Sequence, residues 1–267
     1  MKMSYFLEFT FKIMKRLIQA FASKLGYQIS KVDNNKYQSD FGLKNLFTRE
    51  KWLKEKLLNL HRGIRILDAG AGELQYKRFC SHLNYVSQDF GKYDGIGDQK
   101  GLQMQSWDNS KIDIISDITN IPEPDNSFDA IMCIEVFEHL PAPIEAIKEF
   151  SRLLKKNGTL IITAPFCSLT HFAPYHFYSG FNRYFYERHL TDCGFQIDEI
   201  IPNGNFFEYI AQELQCRIPN SYFSDELTGN EKRSVGHVIK MLERINDLDK
   251  NSSELLCFGY HIRAKKI

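Results

Sequence analysis

Four carboxylates each stand at the end of a short apolar run in the first half of the chain. They are Asp68, Asp89, Asp117 and Glu135, and the runs before them are typical of buried strands. Ligands of open α/β sheets bind beside the carboxyl ends of the strands. The four acids therefore predict a ligand site at that edge of a sheet, with hydrogen-bond acceptors and negative charge.

Two glycines, Gly70 and Gly72, follow the first of these acids. Glycines allow a tight turn and a close approach of the backbone to a ligand, where a Cβ atom would obstruct it. A dinucleotide fingerprint would place a third glycine at position 75, which is Gln75 here. Asp89 follows Asp68 by about 20 residues, the separation at which doubly wound folds place the acid that binds a ribose.

Three histidines are candidates for proton transfer at the same edge: His139, His171 and His176. Histidine is the side chain that acts most often as a general base near neutral pH. Each of the three could instead be a hydrogen-bonded structural residue.

The elements that would position these residues alternate between strands and helices, which is typical of an α/β fold. The predicted strands cover residues 64–68, 85–88, 112–116, 128–134, 159–164, 195–201 and 255–264. The predicted helices cover residues 47–60, 74–83, 140–154, 183–193, 209–218 and 235–245.

Residues 166–186 are crowded with phenylalanine, tyrosine and histidine and follow the fifth predicted strand. Loops at the carboxyl ends of strands carry function in folds of this type. The segment predicts an acceptor-binding loop, and the alternative is an aromatic insertion that packs on itself. Trp107, in an unusually long connection after the second strand, could stack on a bound base or fill the core.

Together these motifs resemble the class I S-adenosylmethionine-dependent methyltransferases, in particular the bacterial type 11-like group that acts on small molecules and glycans. The resemblance runs from about residue 64 to residue 165. It is carried by residues 67–72, 89, 116–118, 124–129, 135–140 and 153–160. It implies a seven-stranded, Rossmann-like, doubly wound sheet that is mostly parallel, with the last strand antiparallel.

The resemblance also implies S-adenosylmethionine as the cofactor and S-adenosylhomocysteine as the product. Asp89 would accept hydrogen bonds from the ribose hydroxyls and Asp117 from the adenine amine. Gly70 and Gly72 would line the ribose and methionine, and Asp68 would orient the loop and the amino group. The full set of implied cofactor-binding residues is Asp68, Ala69, Gly70, Gly72, Asp89, Phe90, Asp117, Ile118 and Glu135.

The segment Glu135-x-x-Glu138-His139 raises the question of a metal. Ubiquinone-pathway and small-RNA 2′-O-methyltransferases carry a similar segment and bind a divalent ion, which carboxylate and imidazole ligands suit. By this resemblance Glu135, Glu138, His139 and His176, or His171 in its place, would hold the ion. The same residues are common in metal-free relatives, so our prediction is that no metal is bound.

The composition of the chain disfavours several classes of partner and location. A net charge of +1 in 267 residues argues against a nucleic-acid partner. The six cysteines form no Cys-x-x-Cys pair and no apolar run reaches the length of a membrane span, which favours a cytoplasmic protein. The chain also lacks the Asn/Asp-Pro-Pro-aromatic motif of amino-group and nucleobase methyltransferases, so oxygen or carbon acceptors are favoured.

The N-terminal region contains a further candidate helix. Residues 4–26 predict an amphipathic helix with basic residues among its apolar ones, suited either to peripheral contact with the inner face of a membrane or to packing on the domain. We predict a helical extension or lid over residues 1–45 and a methyltransferase domain over 46–267. Within that domain, residues 166–186 form the substrate loop and 205–250 a helical insertion.

The predicted function is O-methylation of a small-molecule or saccharide hydroxyl. One alternative is a quinone- or lipid-type acceptor at a membrane surface. A second is a regulatory module that binds S-adenosylmethionine without catalysis. A nicotinamide-dependent oxidoreductase is disfavoured by Gln75.

Overall fold

Seven strands form one sheet in the order β3-β2-β1-β4-β5-β7-β6. Their bounds are β1 Arg65–Ala69, β2 Asn84–Asp89, β3 Ile114–Ile115, β4 Phe128–Ile134, β5 Leu154–Pro165, β6 Phe195–Asn203 and β7 Gly259–Lys266. The pairs among β1 to β5 are parallel, and β7 runs antiparallel to both β5 and β6. The predicted mostly parallel sheet with an antiparallel last strand is confirmed.

The structure is a computed structural model that describes residues 39–220 and 228–267, without the side chains of 216–220. Asp40–Ile267 form one unit by their internal contacts. The predicted helix over residues 4–26 lies outside the described residues, as does the extension up to residue 38. The domain boundary at residue 45 stays a prediction.

Five α-helices flank the sheet in the described part of the chain. They are α1 Asn45–Leu58, α2 Pro143–Leu153, α3 Arg183–Asp192, α4 Phe206–Asn220 and α5 Gly229–Asn246. α1 buries Trp52, Leu53 and Leu57 in the cluster that contains Ile66 of β1, whereas α2 packs in the other core cluster. Parallel strands covered in this way are apolar on both faces, as β1 and β4 are.

The predicted helix over residues 74–83 is wrong. A single 3-10 turn, Lys77–Phe79, stands there instead. Leu74 has a φ of 62°, in the left-handed region, which a right-handed helix cannot include. The connection from β1 to β2 is therefore compact, and Tyr76, Cys80 and Leu83 fill the space beside the sheet.

Two loop segments, residues 91–109 and 166–181, join above the carboxyl edge of the sheet; we call them the cover. Backbone bonds link them at 2.9–3.0 Å, from Asp98 N to Ala173 O, from Leu102 N to Thr170 O and from Phe172 N to Leu102 O. The aromatic-rich segment therefore does not pack only on itself. It forms a roof with the long connection that follows β2.

The described residues contain no helix of the length and apolarity needed to cross a membrane. Cys80, Cys133, Cys167, Cys193 and Cys257 are free thiols, which agrees with the predicted reduced cysteines.

Candidate functional site

A cavity of about 880 Å³ lies at the carboxyl edge of the sheet, under the cover. The strand order reverses between β1 and β4, the point at which open α/β sheets bind ligands. Eight of the nine predicted cofactor-binding residues line this cavity: Asp68, Gly70, Gly72, Asp89, Phe90, Asp117, Ile118 and Glu135. The ninth, Ala69, is buried within β1.

The loop after β1 has a conformation that requires its glycines. Gly70 and Gly72 have φ values of 78° and 51°. A Cβ atom on Gly70 would lie 2.5 Å from Val136 Cγ2, and one on Gly72 would lie 2.6 Å from Trp107 Cζ2. The backbone N–H groups of Gly70 and Ala71 both donate to Gln88 O at 2.9 Å. The loop is therefore held against β2 and leaves its other side open to the cavity.

Asp89 is buried and organises this loop. Its Oδ2 accepts a hydrogen bond from Gly72 N at 3.0 Å, and its Oδ1 accepts one from Gly91 N at 2.9 Å. A carboxylate oxygen has two lone pairs. Each oxygen can thus accept a second hydrogen bond from a ligand in the cavity while it continues to hold the backbone.

Asp117 stabilises the turn that follows β3. Its Oδ1 accepts hydrogen bonds from Thr119 N at 2.8 Å and from Thr119 Oγ1 at 2.7 Å, which fixes the turn after β3. It also lines the cavity, so the turn presents its carboxylate at the site.

Asp68 is almost completely buried and accepts a hydrogen bond from Tyr85 Oη at 2.6 Å. Burial raises the pKa of Asp68 to about 7; the hydrogen bond from Tyr85 acts in the opposite direction, and Asp89 adds to the increase. At neutral pH this carboxyl is therefore close to half protonated in the absence of a ligand.

Arg49 of α1 was missed by the sequence reasoning. It lines the cavity, and its NH1 lies 2.8 Å from Glu135 Oε2. Its buried Nε has no hydrogen-bond partner among the described residues. The signal was present in the helix pattern: Arg49 precedes Leu53 by one helical turn and so shares the buried face of α1.

Glu135 is held in a strained turn at the end of β4, with a φ of 56°. Its Oε1 accepts a hydrogen bond from Thr163 Oγ1 at 2.8 Å, and its Oε2 pairs with Arg49. Both carboxylate oxygens of Glu135 thus have a partner, one through a hydrogen bond and the other through an ion pair.

Glu138, His139 and His171 converge on one point; we call them the Glu–His cluster. One ligand atom from each lies within 4.8 Å of the others, the only such metal-sized group in the described part of the chain. Glu138 Oε1 is 3.7 Å from His139 Nε2 and 3.8 Å from His171 Nε2. This set differs from the sequence-based one, because Glu135 pairs with Arg49 and His171 takes the place of His176.

Backbone carbonyls fix both imidazoles of the cluster. His139 Nδ1 lies 2.6 Å from Tyr175 O, and His171 Nδ1 lies 2.8 Å from Leu169 O. A carbonyl can only accept, so each Nδ1 carries a hydrogen, and an imidazole that is neutral in this tautomer presents its Nε2 lone pair towards Glu138. Such backbone contacts are the usual means of orienting imidazole ligands.

The charge state of the cluster is set by burial. Burial, followed by repulsion from His171, lowers the pKa of His139 to about 3. Burial and the nearby Glu135 raise the pKa of Glu138 well above its ordinary value. Glu138 Oε2 is buried and has no hydrogen-bond partner among the described residues. Without a metal, the proton on Glu138 is therefore the donor available to the two imidazoles of the cluster.

His176, the third predicted histidine, does not line the cavity. Its Nε2 lies 3.2 Å from Ser168 Oγ, and its ring centroid is 6.0 Å from that of His139. Burial lowers its pKa. It supports the cover beside the cluster.

Aromatic rings form the wall of the cavity opposite the sheet. Phe172 stacks between Tyr93 and His139, with centroid distances of 4.6 and 5.1 Å. Trp107 meets Phe172 edge-on and lies against Gly72. Trp107 therefore belongs to the site and not to the interior core.

Residues 67–162 match a family model described as a methyltransferase domain, and this segment contains the glycine loop, Asp89, Asp117 and Glu135. Over these residues the chain is similar to a methyltransferase domain, which supports the predicted resemblance to the class I S-adenosylmethionine-dependent methyltransferases. The match runs from within β1 to within β5, which are five of the seven strands.

Curated relatives match this chain over short segments. A ubiquinone biosynthesis O-methyltransferase of Xanthomonas oryzae pv. oryzae is 33% identical over 104 residues, 38% of this chain and 43% of the relative. One of Xanthomonas campestris pv. campestris is 44% identical over 41 residues, 15% and 17% of the two chains. The chain thus matches less than half the length of these relatives.

Among solved structures, the cyclase SpnF is 18% identical, with 82% of this chain and 80% of that chain covered and a TM-score of 0.50. This likeness concerns the fold alone. A shared fold does not determine chemistry, which must be argued from the site.

Proposed function

We propose that the protein transfers the methyl group of S-adenosylmethionine to a hydroxyl oxygen of a small molecule. The observation that carries this proposal is that one cavity contains both an acidic, glycine-lined edge and the Glu–His cluster. The first suits an adenosine cofactor and the second suits a hydroxyl that must lose its proton. The aromatic wall lies between them.

The adenosine half of the cofactor would occupy the edge formed by β1, β2 and β3. Asp89 would accept from the ribose hydroxyls with the lone pairs that Gly72 and Gly91 leave, and Asp117 would accept from the adenine amine. Charge-assisted hydrogen bonds of this kind are about twice as strong as neutral ones.

The amino-acid half would lie between Asp68 and Arg49. Asp68 is the acceptor suited to the ammonium group. Arg49 carries five N–H donors in a fixed fork: NH1 pairs with Glu135, a side-chain hydrogen bond joins the guanidinium to Tyr76, and Nε is buried without a partner among the described residues. Its positive charge at the cavity suits the carboxylate of the cofactor.

Replacement of Arg49 by glutamine is expected to weaken S-adenosylhomocysteine binding about 10- to 100-fold, because hydrogen bonds to charged groups contribute about 1.5–3 kcal/mol. Adenosine, which lacks the carboxylate, should bind the variant as well as the parent. Calorimetric titration with both ligands would measure this. Lys51→Gln, on the exposed side of the same helix, is the matched control. Equal losses for adenosine and S-adenosylhomocysteine would contradict the assignment.

In the transfer step the acceptor oxygen forms a bond to the methyl carbon while the carbon–sulfur bond breaks and the electron pair stays on sulfur. S-adenosylhomocysteine leaves with a neutral thioether sulfur, and the proton of the acceptor hydroxyl passes to solvent. In-line placement of the two reactants contributes up to about 7–11 kcal/mol in well-oriented systems. The cavity wall and the glycine loop would provide that placement.

The acceptor hydroxyl must also lose its proton, which requires a base or a group that lowers the pKa of the hydroxyl. With a pKa of about 3, His139 is a weak base towards a hydroxyl near neutral pH. The same low pKa keeps its ring neutral, which is the form that ligates metal ions. We therefore infer that Glu138, His139 and His171 hold a divalent cation, which two imidazoles and one carboxylate suit. Such an ion, when bound, lowers the pKa of an oxygen that it contacts.

A quinone-type acceptor is the second candidate. The aromatic wall suits a flat ring, and Met104 and Phe177, which line the cavity, are each about half exposed. The curated relatives named above act in ubiquinone biosynthesis, by their names. An acceptor of this class would carry a ring hydroxyl to the Glu–His cluster and an apolar substituent to the rim.

The proposal is tested with the purified chain, methyl-labelled S-adenosylmethionine and two acceptor types, a catechol and a methyl glycoside. Transfer of label to oxygen of either acceptor supports the proposed function, and a preference for the catechol supports the second candidate. Cofactor binding combined with transfer only to nitrogen, sulfur or carbon acceptors would overturn it.

A further inference from the structure

Tyr85 and Asp68 form an isolated pair behind the glycine loop. Tyr85 on β2 lies next to Asp68 on β1 in the sheet, where Ile66 pairs with Tyr85 and Asp68 with Ser87. The hydroxyl of Tyr85 donates to Asp68 Oδ2 at 2.6 Å, and the other side of Asp68 faces the cavity. In the described part of the chain, the Tyr85 hydroxyl is the hydrogen-bond donor to the Asp68 side chain.

Among the described residues, no lysine or arginine contributes to the pKa shift of Asp68; Arg49 lines the same cavity but pairs with Glu135. The titratable groups that face Asp68 are Tyr85 and Asp89 on β2, Cys80 beside the 3-10 turn and Cys133 on β4. Burial raises the pKa of both cysteines, so their thiols are neutral, and Asp89 is a second acid. Burial and the nearby Asp89 therefore destabilise the ionised form of Asp68, whereas the hydrogen bond from the Tyr85 hydroxyl stabilises it.

A ligand with an ammonium group would supply the missing positive charge. Only the ionised carboxylate attracts an ammonium group strongly. Because burial raises the pKa of Asp68 to about 7, its ionised fraction changes within the physiological range. Binding of such a ligand must then be coupled to the loss of a proton.

We propose that Tyr85 sets the pH range in which the cofactor binds, by holding Asp68 in the form that receives the cofactor's ammonium group. This inference rests on the proposed function, since the cofactor is the ammonium ligand. Tyr85 is a positioning residue here: it does not line the cavity and acts through Asp68. A tyrosine with a purely structural role would leave the pH dependence of binding unchanged.

The experiment is calorimetric titration with S-adenosylhomocysteine and, separately, 5′-methylthioadenosine between about pH 5.5 and 8.5. The first ligand has an ammonium group, which titrates at about 8 and sets an alkaline limb. Its affinity for the parent chain should fall about tenfold per pH unit below about pH 7. The second ligand lacks that group and should bind with an affinity that does not change with pH.

Two variants separate the role of Tyr85 from folding. Tyr85→Phe keeps the ring and removes the donor, so the acidic limb should move up by about one pH unit, with about fivefold weaker S-adenosylhomocysteine binding at pH 7. Asp68→Asn should remove the acidic limb. Tyr260→Phe, in buried β7 and without contact to Asp68, should leave both ligands' curves unchanged.

Unchanged 5′-methylthioadenosine binding in Tyr85→Phe demonstrates that the variant is folded. A parent affinity for S-adenosylhomocysteine that does not vary below pH 7, or a Tyr85→Phe loss that is equal at every pH, would overturn the inference and leave the proposed function standing. Failure of both ligands to bind the parent chain would overturn the proposed function and this inference with it.

Discussion

Asp89→Ala is expected to weaken S-adenosylhomocysteine binding at least about a hundredfold. The substitution removes the acceptor for the ribose hydroxyls and, at the same time, the hydrogen bonds that hold Gly72 N and Gly91 N. Hydrogen bonds to a charged group contribute about 1.5–3 kcal/mol each, and two of them correspond to a factor of about 100 or more. Calorimetric titration of the purified variant would measure the loss.

The control must separate ligand contact from loop order. Asp94 also accepts two backbone hydrogen bonds, from Ile96 N and Gly97 N, within the same connection, but it does not line the cavity. Asp94→Ala should therefore leave the affinity within about threefold of the parent. If Asp94→Ala and Asp89→Ala weakened binding equally, disorder of the connection would account for both, and Asp89 would lose its assignment as the ribose acceptor.

The site residues that stand at the ends of apolar runs were predictable from the sequence. The apolar run of β4 has the bounds that its composition predicts, and the acids at the ends of β1, β2 and β4 all line the cavity. Parallel strands bring their carboxyl ends to one edge, so a local pattern is sufficient to place these residues.

The choice between His171 and His176 was not predictable in this way. Both lie in the same aromatic segment, and the sequence gives no reason to prefer one. The structure distinguishes them because residue 171 forms a bridge with Leu102, across the cover, which brings the ring of His171 to Glu138. That pairing joins segments that are far apart in the chain. Neither segment has a repeating sequence pattern from which the pairing could be predicted.

Arg49 was missed for a related reason. No motif marks it, and its role depends on the packing of α1 against the sheet, which places its guanidinium beside Glu135. Leu74–Leu83 shows the opposite error, since a pattern compatible with a helix was overruled by the left-handed backbone at Leu74. Local propensity is a weak guide where a connection is short and the neighbouring strands fix both of its ends.

The purified protein is expected to bind about one Mn²⁺ or Zn²⁺ per chain, and Glu138→Gln is expected to weaken that binding at least about a hundredfold. Substitution of groups that only orient a ligand already costs about 10- to 100-fold in metal affinity, and Glu138 would be a ligand itself. Metal content after dialysis and calorimetric titration with the ion would give the stoichiometry and affinity without reference to activity.

His176→Ala is the matched control, because His176 lies beside the cluster with its Nε2 turned to Ser168. It should retain the metal, whereas His171→Ala should lose it. The reverse result would favour His176 over His171 as the last member of the set that the resemblance implies, and it would contradict the cluster that the structure brings together.

The binding reaction should also release about one proton near neutral pH. Burial raises the pKa of Glu138 well above its ordinary value, so the side chain is protonated without a metal and must lose that proton to become a ligand. Titration in two buffers of different ionisation enthalpy would count the protons. If the parent chain bound no ion and its methyl transfer were unaffected by exhaustive chelation, the O–H group of Glu138 would be the hydrogen-bond donor to His139 and His171. The cluster would then orient the acceptor by hydrogen bonding, and the metal inference would be wrong while the cofactor assignments stayed untouched.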